Sequence, residues 1–244
     1  MRVLRLILKT RGKQGIAQED VLAPLLSNVY LTQVDRMLEQ AKEVTREGKY
    51  RHVEYVRFAD DLPILVDGHR RHDELLRAVE QRLREELATL HVTLNEDKSR
   101  IVDLVKGESF GFLGFEFRRI RGRKGNWWPY YAPQMNKRTS LLRRLKAIFR
   151  STRSQPIDRV IHQINPILRG WVNYFAIGHA SRCFGYVHDW VERKIRRHLM
   201  RARQRKGFGW KRWSRQWLYR NLGLFGTYRV SRPKQLQLKA LPVR

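Results

Sequence analysis

The sequence predicts an α+β fold over its first half and a basic, all-α domain over its second. Three observations carry this expectation. Two strand-like segments meet at a tight turn near residue 60, and apolar residues at helical spacing flank them. The charge balance also changes abruptly: residues 1–117 hold 19 Lys+Arg against 20 Asp+Glu, and residues 118–244 hold 32 against 3. The whole formal net charge of +28 therefore comes from the second half. Such an excess favours a polyanionic partner, and nucleic acid is the commonest one. At 42% hydrophobic and 30% charged residues, the chain reads as globular, not disordered.

Residues 2–9 read as the end of a helix, and Thr10 to Gln18 as a loop containing Gly and Lys. From Val21 to Leu38, VLAPLLSNVYLTQVDRML has helical spacing, with Pro24 near the start where a missing N–H is tolerated. Residues 42–51 read as a polar connection. HVEYVRF, then Ala59-Asp60-Asp61-Leu62, then PILV reads as strand, turn, strand: a β-hairpin. Over residues 72–90, Leu76, Val79, Leu83, Leu87 and Leu90 line one helical face, and Glu80 and Arg84 are spaced to pair. Asn95 to Val105 reads as a turn leading to a short strand, and FGFLGFEFR (110–118) as a strand pair or a bent strand. Helices covering one face of an antiparallel sheet are the implied layers.

Residues 119–136 form a Gly-, Arg- and Trp-rich stretch that reads as a loop. Beyond it, Leu142, Leu145 and Phe149 mark one helix. Asn165-Pro166 reads as a cap and first-turn proline opening a second, with Leu168, Trp171, Val172 and Phe175. Val187, Trp190, Val191 and Leu199 mark a third, ended by Gly207. The expected organisation is 1–118, a basic linker 119–138, and a helical domain 139–244.

A single cysteine, Cys183, rules out an intrachain disulfide and any zinc site built on CxxC pairs. No run approaches the length of a membrane span, and residues 3–8 lack the features of a signal peptide. A soluble cytoplasmic protein without a membrane partner is expected.

The sharpest local signal is FADD, residues 58–61. Adjacent aspartates at the tip of a hairpin make a dense negative point on a rigid support. Nucleotidyl transfer needs one, because carboxylate-held Mg²⁺ ions activate the attacking hydroxyl and stabilise the leaving pyrophosphate. Aspartate is also an ordinary turn residue, and the pair alone would fit that role. The flanking strands tip the reading toward a metal. In the basic half, Trp127, Trp128, Arg169, Trp171, Tyr174, Trp190, Trp210, Lys211, Arg212, Trp213 and Trp217 interleave rings with cations. That composition suits phosphate contacts and base stacking, although core packing is the better reading for Trp171 and Trp190.

YVRFADDLPILV resembles the active-site hairpin of reverse transcriptases, in which YADD is usual and Phe58 here replaces the tyrosine. Four further blocks appear in family order: GIAQEDVLAPLLSNVYL (15–31), LNEDKSRIV (94–102), FLGF (112–115) and INPILRGWVNYF (164–175). Together they resemble the C-terminal part of group II intron-encoded reverse transcriptases/maturases: part of the polymerase palm, followed by the maturase-specific domain, also called thumb or X. The resemblance implies RNA-directed DNA polymerase and intron maturase activity. Asp60 and Asp61 would be the catalytic metal ligands, Gln18, Phe58 and Ala59 would shape the nucleotide pocket, and Pro24 and Asn28 would set the helix that follows. Lys98 would lie near the incoming phosphates, a position that a solvated turn lysine fills equally well. Phe112, Leu113, Gly114 and Phe115 would fix the primer end. Arg169, Arg193, Lys194, Arg196, Arg197, Lys211 and Arg212 would hold RNA. Implied partners are structured intron RNA and a DNA primer, with two Mg²⁺ ions as cofactor.

Three departures qualify this. The family's QGG is Gln18-Glu19-Asp20, Pro63 opens the second hairpin strand, and residues 1–14 contain no carboxylate to match the family's first catalytic aspartate. An N-terminally truncated chain with an incomplete two-metal site is the expectation, completed by a separately encoded N-terminal fragment if it polymerises. The alternatives are a non-catalytic splicing factor that binds intron RNA, or an inactive remnant.

Overall fold

The computed structural model describes residues 23–231. They divide into two compact units at Val105/Lys106. In the first unit, α1 (Ala23–Tyr30) and α2 (Thr32–Val44) replace the single helix expected over 21–38, with a break at Leu31. The polar connection contains a minimal hairpin, β1 (Arg46–Glu47) with β2 (Tyr50–Arg51), turned by Gly48 at φ 59°. Strand β3 (Val53–Tyr55) pairs antiparallel with β4 (Ile64–Val66), Val53 opposite Val66 and Tyr55 opposite Ile64. Pro63 costs the hairpin little, because its carbonyl accepts from the Val56 N–H at 3.1 Å.

Helix α3 (Asp73–Thr89) forms as its apolar stripe predicts, with Val79 and Leu87 buried against Val34, Met37, Leu38 and Val53. Burying a side chain of this size stabilises by about 1.5–3 kcal/mol, which fixes the helices to the hairpin. Glu80 and Arg84 pair at 3.0 Å as expected, and Arg84 also reaches Glu96 at 2.7 Å. The turn at Asn95–Lys98 is present, but the strand expected beyond it is not: residues 99–103 are irregular. They pair with no strand among the described residues, and a lone extended segment does not hold.

In the second unit, β5 (Phe110–Phe112), β6 (Phe115–Arg121) and β7 (Trp127–Pro133) form an antiparallel sheet in sequential order. The stretch expected to be a loop therefore supplies the end of β6 and all of β7. Its aromatic and β-compatible residues pair with β6 from Arg121↔Trp127 to Phe115↔Pro133. Four helices follow: α4 (Met135–Ser151), α5 (Ile157–Tyr174), α6 (Ser181–Ala202) and the short α7 (Arg215–Arg220).

Asn165-Pro166 does not open a helix; it lies inside α5, which starts at Ile157. The carbonyl left without its donor belongs to His162, an exposed residue that water can serve. Asn165 instead ties down the C-terminal segment: its amide donates to the Gly223 carbonyl at 2.8 Å and accepts from the Phe225 N–H at 2.8 Å. Helix α6 ends at Ala202, ahead of Gly207, and Gln204 takes the positive φ (54°) that follows it. Leu141, Leu145, Ile164, Leu168, Val187, Val191 and Ile195 build the core between α4, α5 and α6. Trp171 and Trp190 pack partly buried against it, as their helical positions suggest.

Candidate functional site

The FADD segment forms a two-residue turn. Phe58 and Asp61 exchange backbone hydrogen bonds of 2.9 and 3.0 Å, which places Ala59 and Asp60 at the tip. Ala59 has φ 53°, a left-handed conformation that glycine adopts more readily. Arg57 holds this strained tip in place. Its guanidinium binds the Asp35 carboxylate on α2 through two nitrogens, one at 2.8 Å, and donates to the Asn28 side chain on α1 (2.9 Å) and to the Ala59 carbonyl (3.1 Å). The hydrogen bond to Asp35 outweighs burial and holds the Arg57 pKa above its ordinary value.

Asp60 and Asp61 are exposed, and among the described residues neither joins an ion pair. Two hard, exposed carboxylates on a clamped turn fit Mg²⁺, which commonly takes one or two protein carboxylates and completes its shell from water and phosphates. Phe58 is 61% exposed beside them, as a surface for a nucleotide base requires. Lys98 sits on the exposed 95–98 turn, and no hydrogen bond or ion pair joins it to Asp60 or Asp61. Gln18 lies outside the described residues, as do residues 1–14.

The FLGF block is a second tight hairpin, Phe112 opposite Phe115, in which Leu113 and Gly114 both have positive φ (48° and 78°). The Leu113 carbonyl accepts from the Tyr174 hydroxyl at 3.0 Å, and the Gly114 carbonyl from the Gln134 N–H at 2.9 Å. Phe115 is buried with Val172, Phe175, Ala180 and Phe184, so its ring is core and is not available to touch a primer. Leu113 is the most exposed side chain of the block, and Phe112 is partly buried.

The basic residues sort into four groups. Lys194, Arg197 and Arg201 recur along one face of α6 and meet Lys146 and Arg150 from α4 around a cavity of about 220 Å³, closed by Phe149 and His198. Among the described residues no acidic side chain lines it. Burial first, then the neighbouring Arg197, Lys146, Arg201 and Arg150, push the Lys194 ammonium below its ordinary pKa. Crowded cations in a concave site are what an anion relieves. A second cavity, about 640 Å³, is lined by Arg203, Arg205, Trp210, Lys211 and Arg212 among others. Arg169 and Arg193 are exposed on their helices, away from either lining.

Arg196 corrects the sequence expectation. It is 2% exposed, with Nη1 3.0 Å from a Glu192 carboxylate oxygen and Nε donating to the Trp213 carbonyl at 3.0 Å. Trp210 covers it, ring centroid 4.2 Å away. A guanidinium so committed holds the fold and is not available to RNA.

Lys146, Arg150 and Arg201 were not singled out from the sequence. The i, i+4 spacing of Lys146 and Arg150 was visible there, but which face of α4 meets α6 is a tertiary fact. Arg57 was missed as well; an arginine beside FADD carried no motif signal. On the β6–β7 ribbon, Trp127 and Trp128 are about half exposed, and Arg118 and Arg119 lie over Tyr130 and Trp127 at 4.7 and 5.0 Å.

Comparison with known families agrees with this division of labour. Residues 9–117 match the reverse transcriptase (RNA-dependent DNA polymerase) family, and residues 138–220 match the group II intron, maturase-specific domain. The chain thus carries a reverse transcriptase match followed by a group II intron maturase-specific match, the pairing that group II intron-encoded reverse transcriptases/maturases show. The two matched domains occur in that family's order and take in both the FADD hairpin and the cation-lined cavity. The chain is also similar to the protein YkfC of Escherichia coli strain K12, 29% identical in an alignment 137 residues long that covers 47% of this chain and 35% of that relative. It thus spans about a third of the length of that curated relative. Reverse transcriptases as a class use Mg²⁺, and the two domains imply nucleic-acid ligands. Among the described residues no helix is long and apolar enough to cross a membrane.

Proposed function

We propose that this chain is a maturase and RNA-directed DNA polymerase module. Its second unit would grip structured intron RNA, and its first unit would present Asp60 and Asp61 to Mg²⁺ for nucleotidyl transfer to a DNA primer. The observation that carries the RNA part is the acid-free cavity between α4 and α6, lined by Lys146, Arg150, Lys194, Arg197 and Arg201. Phosphates at that spacing would relieve the mutual repulsion of the cations, with release of condensed counterions adding affinity. Half-exposed Trp127, Trp128 and Trp210 offer stacking faces for unpaired bases.

For the polymerase part, Asp60 and Asp61 would hold the ion and Arg57 would fix their turn. The ion would supply charge neutralisation at the transferring phosphoryl group. An N-terminal fragment supplied in trans and carrying a further aspartate would complete such a site. The test is Mg²⁺-dependent primer extension on an RNA template, with and without that fragment. Extension only with the fragment, abolished by Asp60→Asn, supports the full reading. Failure of both mixtures despite tight, salt-sensitive RNA binding leaves a splicing factor without polymerase activity.

A further inference from the structure

The hairpin that carries Asp60 at its tip and Asp61 beside it has an unrelated cluster at its open end. His52 directly precedes β3 and Asp67 directly follows β4, so the pairing of Val53 with Val66 sets the two side by side. His52 Nδ1 lies 3.2 Å from Asp67 Oδ2. His72, at the start of α3, brings its Nε2 to 3.6 Å from the same oxygen, and its ring stacks on that of His52 with centroids 4.3 Å apart. The three ligand atoms all lie within 4.8 Å of one another. His52 is 6% exposed, a poor place for an imidazole with no task.

We propose that His52, Asp67 and His72 form a Zn²⁺ site that staples the base of the hairpin to the start of α3. Bonds of about 2.0–2.1 Å to a tetrahedral ion put ligand atoms roughly 3.3 Å apart, and two of the three separations are already close to that. Two imidazoles and one carboxylate select a borderline ion such as Zn²⁺ over Mg²⁺, which prefers an all-oxygen shell. The other nitrogen of His52, Nε2, faces the Glu47 carboxylate at 3.3 Å. That is the outer carboxylate that commonly orients a metal-bound histidine. A fourth position is left for water.

One neighbour opposes the ion. The Arg71 Nε donates to His72 Nε2 at 2.9 Å, and its Nη2 lies 3.7 Å from Glu47. Arg71 is 60% exposed, so metal entry displaces it into solvent. The site does not rest on the polymerase reading, since Zn²⁺ would fasten the hairpin whether or not its tip is catalytic.

The test uses the untagged full chain, stripped of metal and titrated with Zn²⁺ by calorimetry and with Co²⁺ by visible absorption. One ion per chain and the intense visible bands of low-coordinate Co²⁺ are expected. His72→Gln and Asp67→Asn should each weaken binding at least about 10–100-fold, the loss typical of removing even an outer-shell partner. Arg71→Ala should bind as tightly as the parent or several-fold tighter, while exposed His162→Gln should leave binding unchanged. The proposal fails if the unaltered chain binds no stoichiometric Zn²⁺ or Co²⁺. It also fails if His72→Gln binds as well as the parent, or if Asp60→Asn removes the ion, which would place it at the hairpin tip. The unaltered chain's Co²⁺ spectrum needs no variant to fold.

Discussion

Removing the Glu192 carboxylate should unfold more of this protein than removing any exposed cation. Glu192 is 1% exposed and anchors a network: Arg196 at 3.0 Å, Arg215 at 2.7 Å and the Tyr219 hydroxyl at 2.9 Å. Glu192→Ala leaves the Arg196 guanidinium buried without its counter-charge. Breaking a buried pair from one side costs about 3–5 kcal/mol. At roughly 2–4 °C per kcal/mol for a chain of this size, the melting midpoint should fall by on the order of 10 °C. The double substitution Glu192→Met/Arg196→Met removes both charges and should recover most of that loss, because neither ion is then stranded. Arg215, 59% exposed, can turn to water, and the Tyr219 hydroxyl keeps His188 at 2.6 Å. Urea unfolding followed by tryptophan fluorescence is the assay, since Trp210 covers Arg196 and the Trp213 carbonyl accepts from it. A loss below about 1 kcal/mol for Glu192→Ala, or a double variant no better than the single, would refute the assignment of Arg196 as a structural residue.

Acid should weaken both units. Burial opposes ionisation of Glu192 and of Asp67, but bonds from Arg196, Tyr219 and Arg215 in one case, and from His52 and the His69 N–H in the other, hold each carboxyl below its ordinary value. A depressed folded pKa gives stability that is complete above the unfolded value, about 4, and is lost as pH falls through the folded one. Denaturant midpoints measured from pH 6 downward should therefore drop below about pH 4, less steeply in Glu192→Gln. Arg57→Met should cost about 1.5–3 kcal/mol by freeing the hairpin tip from Asp35, read in the same unfolding experiment. Leu113→Asn should gain about 0.5–1 kcal/mol, since asparagine tolerates the positive φ of that turn better than leucine. If Leu113 also touches the primer, the stabilised variant should extend primers less well.

The hairpin, α3 and the bodies of α4, α5 and α6 were legible because their signals are local; the start of α5 and the short α7 were not. Alternation around FADD and the Leu76-to-Leu90 stripe require no knowledge of neighbours. The break at Leu31 was hidden because both of its sides carry the same apolar spacing. Asn165-Pro166 misled because it carries every mark of a helix start, yet the segment before it supplies Val160, Ile161 and Ile164 to the core, and that packing outweighs one missing hydrogen bond. Strand β7 was hidden among glycine and arginine; it forms because β6 offers it an edge.

The candidate site divides along the same line. Asp60 and Asp61 lie at the expected tip because turn and strands are coded in adjacent residues. Arg196 and Arg197 are neighbours of identical type, and sequence alone does not say that one points into the core and the other into the cationic cavity. Phe115 is likewise separated from Leu113 only by the geometry of its turn. The cluster of His52, Asp67 and His72 is assembled by hairpin register, so its spacing matches no linear metal motif.

RNA phosphates held in the cavity between α4 and α6 would show in the salt dependence of binding of the full chain to structured intron RNA, measured with Lys146, Arg150, Lys194 and Arg197 changed singly and together to glutamine. Each cation that no longer neutralises a phosphate should lower the slope of log K against log salt by about 0.7–0.9. A stepwise fall is expected, with a four-fold variant that folds like the parent yet binds RNA only weakly. An unchanged slope and affinity in that folded variant would contradict it.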